Sequence, residues 1–231
     1  MTDTIDSKCV PYEHSRDAAA MGWLCASIVH DFRNPVTAIH AAAEMLQGLE
    51  HAPAVVKRLA VNIHRASCRM RDMLAEFTSL GRENMAPIET CNLRDMIVAA
   101  TLVASADFES HDVRIRIDVR SDIELPMVHQ RMERVFVNLL TNSYEAMPFG
   151  GEVRIAAREA THCILVEVED TGPGIPPAIR DRLFEPFVTA GKEDGLGLGL
   201  ALSRMTLLDH GGDLWTEPAS GARFVLRLRA A

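Results

Sequence analysis

The chain has no CxxC pair, no internal repeat, no low-complexity tract and no surplus of positive charge. No apolar run reaches the ~18 residues that a membrane helix needs. Each absence excludes something. The five cysteines, at positions 9, 25, 68, 91 and 163, are odd in number and scattered, which argues against a disulfide framework and for reduced thiols in a cytoplasmic protein. With no signal peptide and no long apolar run, no membrane insertion is expected. A net charge of −8 argues against broad electrostatic binding to nucleic acid or to an anionic membrane. What is present is 231 residues with 48% apolar content, enough for one large domain or two small ones with a folded core.

The N-terminal third is helical in pattern. Residues 1–14 read as a polar tail, and Ser15 or Asp17 can cap a first helix. Apolar residues then recur at Ala18, Met21, Cys25, Ile28, Phe32, Val36, Ile39, Ala43 and Leu46, close to a coiled-coil seam. His30 lies two residues past Ile28, about 200° around a helix of ~3.6 residues per turn, and so faces solvent. Asn34 shares its face, and Pro35 cannot donate to the carbonyl of Asp31, so the helix should bend there. The Asp31 carboxylate can take the imidazole proton and leave a nucleophilic nitrogen. Alone, the stretch reads more readily as a solvated histidine on a polar face; a zinc site is disfavoured because no ligand follows at metal-binding spacing.

A second helix carries an unbroken seam of Val56, Leu59, Ile63, Ala66, Met70, Met73, Phe77 and Leu80. Two such helices make an antiparallel hairpin over residues 15–83 whose wet side is buried by pairing with a second hairpin, so a homodimer built on a four-helix bundle is expected. Residues 84–91, with Pro87, read as a linker. Residues 92–231 then alternate helices and strands. The pattern gives a helix from about Leu93, a half-buried strand at Val113–Val119, a helix from about His129 to Met147 and strands near 152–158 and 163–169. A long loop over 170–195, a helix from about Leu196 to Asp209 and final strands near 213–216 and 222–229 follow. This order predicts a two-layer α+β sandwich.

Four pieces of this second half fit a nucleotide site. Asn138 and Asn142, one turn apart and followed by Glu145, place two amides and a carboxylate on one helix face. Asp170-Thr171-Gly172-Pro173-Gly174 ends a strand with a carboxylate that could accept from an exocyclic amine, beside glycines that let backbone approach a flat ring. Gly195-Leu196-Gly197-Leu198-Gly199 opens a helix, where free N–H groups favour phosphate. The spacing is not that of the dinucleotide fingerprint. Phe184-Glu185-Pro186-Phe187 offers apolar anchors for a lid. Each has a plain structural alternative: a polar stripe, a strand-ending turn, a glycine-rich connection.

Together these stretches resemble the cytoplasmic core of a bacterial two-component sensor histidine kinase. VHDFRNPVTAI resembles the histidine box, RVFVNLLTNSYEAM the asparagine box, VEDTGPGIP and GLGLGLALSR the two glycine boxes, and LFEPF the phenylalanine box. HGGDLW followed by GARF closes the pattern, and the HDFRN and NSYEAM spellings are nearest to the nitrogen-regulation branch. The resemblance implies the histidine-kinase and gyrase-type ATPase fold, ATP and Mg2+ as cofactors, and a response regulator receiver domain as partner. By it, His30 is the phosphoacceptor, Asp31 the assisting acid and Asn34 the amide that positions water for dephosphorylation of the partner. Asn142 is the metal ligand, with Asn138 its companion; an amide at 138, where gyrase-type ATPases place a glutamate base, fits transfer to histidine rather than to water. Asp170 recognises adenine, while Gly172, Gly174, Gly195, Gly197, Gly199 and Lys192 surround the base and lid.

Three positions depart from the pattern: Ala222 where a hydroxyl residue is common, Leu196 where Thr is common, and Lys192, one residue further from Phe187 than usual. Weaker ATP binding is the expectation they carry. No sensor segment precedes the core, so either the chain is a fragment or its signal arrives through a separate sensor protein. Two other readings share the residues: a dimeric histidine phosphotransferase without ATP binding, and an interaction module that inhibits a kinase or regulator. Nucleotide titration separates them.

Overall fold

The computed structural model describes residues 87–106, 108, 112–189 and 197–230, with helical positions at 36, 37, 39, 41, 42, 55, 56, 58, 59, 62, 63 and 70. The chain divides into two compact units, one built from residues 14–85 and the other mainly from residues 86–231. In the first, every described residue is helical, and Ala42 and Leu59 are buried.

The second unit opens with β1 (Glu89–Asn92) and α1 (Leu93–Ser105), followed by β2 (Val113–Asp118) and β3 (Glu124–Met127). Next come α2 (His129–Ala146), β4 (Gly151–Ala160), β5 (Cys163–Asp170) and a 3-10 helix at Pro177–Arg182. It closes with α3 (Gly199–Asp209), β6 (Asp213–Glu217) and β7 (Arg223–Arg229). Five strands form one sheet in the order β2-β4-β5-β7-β6. Only β2 and β4 run parallel, because α2 carries the chain between them; the other neighbours are antiparallel.

The two-layer sandwich is as the alternation of elements predicts. Along β7, Phe224, Leu226 and Leu228 point to one face and are buried. They join Val153, Ile155, Val166 and Val168 from β4 and β5 in one apolar cluster with Met96 and Ile97 of α1, Phe136, Leu139 and Leu140 of α2, and Leu207 of α3. Phe136 and its cluster neighbours Leu139 and Leu140 are wholly excluded from water, which at about 25 cal/mol per Å² makes α2 the helix that anchors the layer. The asparagine face of the same helix is thereby fixed in rotation.

Two features differ from the sequence reading. Glu89, Thr90 and Cys91, read as linker, belong to β1, which pairs antiparallel with β3 in a separate two-stranded ribbon. Asn92 then caps α1 by accepting the N–H of Asp95 at 3.1 Å. The helix expected from about Leu196 begins at Gly199, because Gly197 has φ +67°, a left-handed conformation that cannot continue a helix. Among the described residues no helix is long and apolar enough to cross a membrane.

Candidate functional site

Asp170 is the last residue of β5 and is 4% exposed. A carboxylate so deeply buried needs partners. Its Oδ1 accepts two backbone N–H groups, from Gly172 at 2.9 Å and from Ala222 at 3.1 Å. Its backbone is held as firmly: the Asp170 N–H donates to the Ala222 carbonyl at 2.9 Å. Oδ2 is met by the hydroxyl of buried Ser143 at 3.3 Å, and that same hydroxyl lies 3.1 Å from the Leu139 carbonyl. One hydroxyl proton cannot serve both acceptors fully. Oδ2 therefore keeps capacity for a donor from a ligand, while Ser143 can turn back to Leu139.

Glycines make this approach feasible. A Cβ on Gly221 would sit 2.0 Å from the Asp170 carbonyl oxygen, and one on Gly172 would sit 3.0 Å from Asp170 Oδ1. Gly174, at φ +77°, turns the chain over the backbone of Gly221. The wall beside the carboxylate is thus bare backbone, which suits the edge of a flat ring. Ala222 serves it through main-chain groups, so the missing hydroxyl at that position leaves the hold on Asp170 intact.

The second wall is α2. Asn138 and Asn142 lie one turn apart and half-buried, and the Asn142 amide approaches Asn138 Oδ1 at 3.5 Å. Asn138 Nδ2 donates to Ser203 of α3 at 3.0 Å. A Cβ on Gly199 would lie 2.2 Å from Asn138 Oδ1. The first turn of α3, with no side-chain cap, therefore lies against Asn138. Hard amide oxygens beside a helix N-terminus fit a phosphate chain and a cation held partly by that phosphate. Among the described residues no cluster of three His, Cys, Asp or Glu could bind a metal alone. Glu145, one turn beyond Asn142, is exposed.

The phenylalanine stretch closes the side nearest α3. The Phe187 N–H donates to the Gly197 carbonyl at 2.9 Å, and a Cβ on Gly197 would come within 2.7 Å of the Phe187–Val188 backbone. The Arg204 guanidinium lies 5.3 Å above the Phe184 ring and pairs with Asp213 at 2.9 Å, tying this stretch to α3 and β6.

Asn138, Asn142, Asp170, Gly172, Gly174, Gly197 and Gly199 thus belong to two linked walls, joined through Ser143 on α2. His30, Asp31, Asn34, Lys192 and Gly195 lie outside the described residues. Ser143, Ser203 and Gly221 were not among the candidates read from sequence. The available signal was a hydroxyl on an otherwise apolar helix face: Ser143 follows Val135, Phe136, Leu139 and Leu140 on the buried side of α2.

Residues 127–231 match the family described as histidine kinase-, DNA gyrase B- and HSP90-like ATPase, and residues 21–85 match the His kinase A (phospho-acceptor) domain. The C4-dicarboxylate transport sensor protein DctB of Rhizobium meliloti is 31% identical over 92% of this chain and 35% of its own length. The sensory histidine kinase/phosphatase NtrB of Salmonella typhimurium is 31% identical over 87% of this chain and 60% of its own. The chain therefore spans about a third to three fifths of the length of these relatives. Among solved structures, the catalytic domain of the histidine kinase ThkA superposes with TM-score 0.55 at 26% identity, over 62% of this chain and 95% of that one. ThkA in complex with the response regulator protein TrrA shares the fold over 93% of this chain and 63% of that one, with TM-score 0.65 at 23% identity.

Proposed function

We propose, from a chain that belongs to the sensor histidine kinase family, an ATP-dependent protein kinase that phosphorylates its own His30 and passes the phosphoryl group to an aspartate of a response regulator. The observation that carries the reading is Asp170: a buried carboxylate with one oxygen tied to two main-chain N–H groups and the other facing an adjustable hydroxyl. That arrangement suits an exocyclic amine donor and penalises a base that presents a carbonyl there.

In this reading adenine lies against Gly172, Gly174 and Gly221 and donates to Asp170. The phosphates follow the first turn of α3, and Asn142, with Asn138 beside it, would hold a magnesium ion through its amide oxygen, and that ion would offset charge on the phosphates. The imidazole nitrogen of His30 attacks the γ-phosphorus, the bond to the bridging oxygen breaks and ADP leaves. Asp31 takes the proton that the imidazole gives up. With an amide at 138, that position offers no strong base to activate water in competition. Residues 15–83 form the dimerising hairpin, residues 84–88 the connection and residues 89–231 the nucleotide-binding domain. Val36 and Val56 of the helical seam, 48% and 42% exposed in the single chain, support pairing of two hairpins. Asn34 would orient water for dephosphorylation of the regulator.

A fluorescent ATP-analogue titration with magnesium, followed by incubation with γ-labelled ATP, tests the reading. Saturable binding and acid-labile, base-stable label that His30→Gln abolishes are expected. Absence of binding removes the kinase and leaves the phosphotransferase or the interaction module; label that survives His30→Gln moves the acceptor elsewhere.

A further inference from the structure

We infer that Ser203, with Gly199 one turn before it, is the seat that holds the Asn138 amide in place, making Ser203 a positioning residue for the metal–phosphate side of the site. The inference rests on the nucleotide reading above. Gly199 and Ser203 are four residues apart on α3 and so share a face. Gly199 supplies the gap: a Cβ there would lie 2.2 Å from Asn138 Oδ1 and 2.8 Å from Cγ. Ser203 supplies the anchor: its hydroxyl, 4% exposed, accepts from Asn138 Nδ2 at 3.0 Å.

The direction of the amide follows from Asn142, while the Ser203 hydroxyl, able to accept or donate, holds the amide in place. With Nδ2 on Ser203, Oδ1 is turned to Asn142, whose Nδ2 lies 3.5 Å away. The reversed amide would set one NH2 against the other, donor against donor. It would also direct an NH2 toward the space where a cation belongs. Ser203 therefore acts through Asn138 and touches no ligand itself. Two residues of one glycine-rich helix start thus have different tasks. Gly199 is required to be small, and Ser203 is required to carry oxygen.

The decisive experiment titrates the ATP analogue into the full chain, with magnesium and with EDTA. The variants are Ser203→Ala, Asn138→Ala and the double variant. Ser203→Ala should bind about fivefold more weakly with magnesium, the loss expected for one neutral side-chain hydrogen bond, and change less than about twofold in EDTA. In the Asn138→Ala background it should add nothing, because its target is gone. Ser203→Thr and Ser203→Val differ only by hydroxyl for methyl at equal bulk, so their ratio answers the same question should the alanine variant fold poorly. The threonine should bind better with magnesium by a similar factor. Equal losses with and without magnesium, additivity with Asn138→Ala, or no difference between threonine and valine would overturn the assignment. Failure of the wild type to bind the analogue at all would instead overturn the nucleotide reading.

Discussion

His210 Nε2 accepts the backbone N–H of Val128 at 3.0 Å, so the end of α3 satisfies a main-chain donor at the start of α2. The other ring nitrogen lies 2.7 Å from the Thr206 carbonyl and must carry the proton, which fixes the neutral tautomer. Nearby, buried Arg131 of α2 pairs with Asp209.

Burial and, to a lesser degree, the Arg131 charge hold the His210 pKa below its ordinary value, against opposing effects of the Thr206 carbonyl and Asp209. The folded state thus binds this proton less readily than the unfolded chain. Its contribution is complete above the unfolded pKa of ~6.5 and is lost as pH falls from there through the lower folded value. Melting curves between pH 8 and pH 5 should show the wild type losing stability over this window, with His210→Gln showing a flatter dependence. An identical slope in the variant would remove His210 as the cause.

Gly221→Ala should damage fold and site together. The added methyl would meet the Asp170 carbonyl oxygen at 2.0 Å and Oδ1 at 2.9 Å. Relief requires β7 and β5 to part at the ends nearest the carboxylate, at a cost of about 1–3 kcal/mol. Thermal melting and analogue titration of the variant should both fall; unchanged affinity would separate the glycine from the site.

Asp170→Asn keeps the shape but turns a pure acceptor into a group that also donates. Binding of the ATP analogue should weaken at least tenfold, ~1.4 kcal/mol, with preference for adenine over guanine reduced. Competition by ATP and GTP against the labelled analogue measures both. Unaltered selectivity would place base recognition elsewhere.

The sandwich was legible because its core strands alternate and α2 carries a continuous apolar face, signals that depend only on local period. The ribbon of β1 and β3 was not. Each has four residues, Glu89-Thr90-Cys91-Asn92 shows no apolar alternation, and Pro126 argues against a strand. Pro126 is tolerated because β3 pairs with β1 alone, opposite Thr90, leaving its other edge outside any ladder. Asp170 and the asparagine pair were visible as unusual residues at marked places. Ser143 and Ser203 were not, since one hydroxyl in an apolar stripe acquires meaning only when its partner on another element is known. The start of α3 was misplaced because the turn at Gly197 is a matter of φ, which the repeating Gly-Leu pattern does not encode.

Phe77→Glu tests the helical hairpin. If the seam of Val56, Leu59, Ile63, Met70 and Phe77 is buried between two chains, a charge at Phe77 costs several kcal/mol. Sedimentation should find dimers for the wild type and monomers for the variant. A wild-type monomer at micromolar concentration would refute the four-helix bundle.

Asn34→Ala separates two activities. On the proposed reading the amide orients water toward the regulator's phosphoaspartate and is not needed for attack by His30. Autophosphorylation should stay within a few fold while acceleration of regulator dephosphorylation is mostly lost. Parallel loss of both rates, with a lower melting temperature, would mean that Asn34 instead supports the helix beside Pro35.

The fastening of Asp170 also bears on how small molecules would find the site. Its Oδ1 is held by Gly172 and Ala222 and its backbone by Ala222, just before β7, so the carboxylate has little rotamer freedom left to lose when a ligand arrives. Ligands that meet a fixed acceptor keep more of their contact energy as affinity. Aminopyrimidine-sized fragments, far smaller than a nucleotide, should therefore bind with high efficiency per atom.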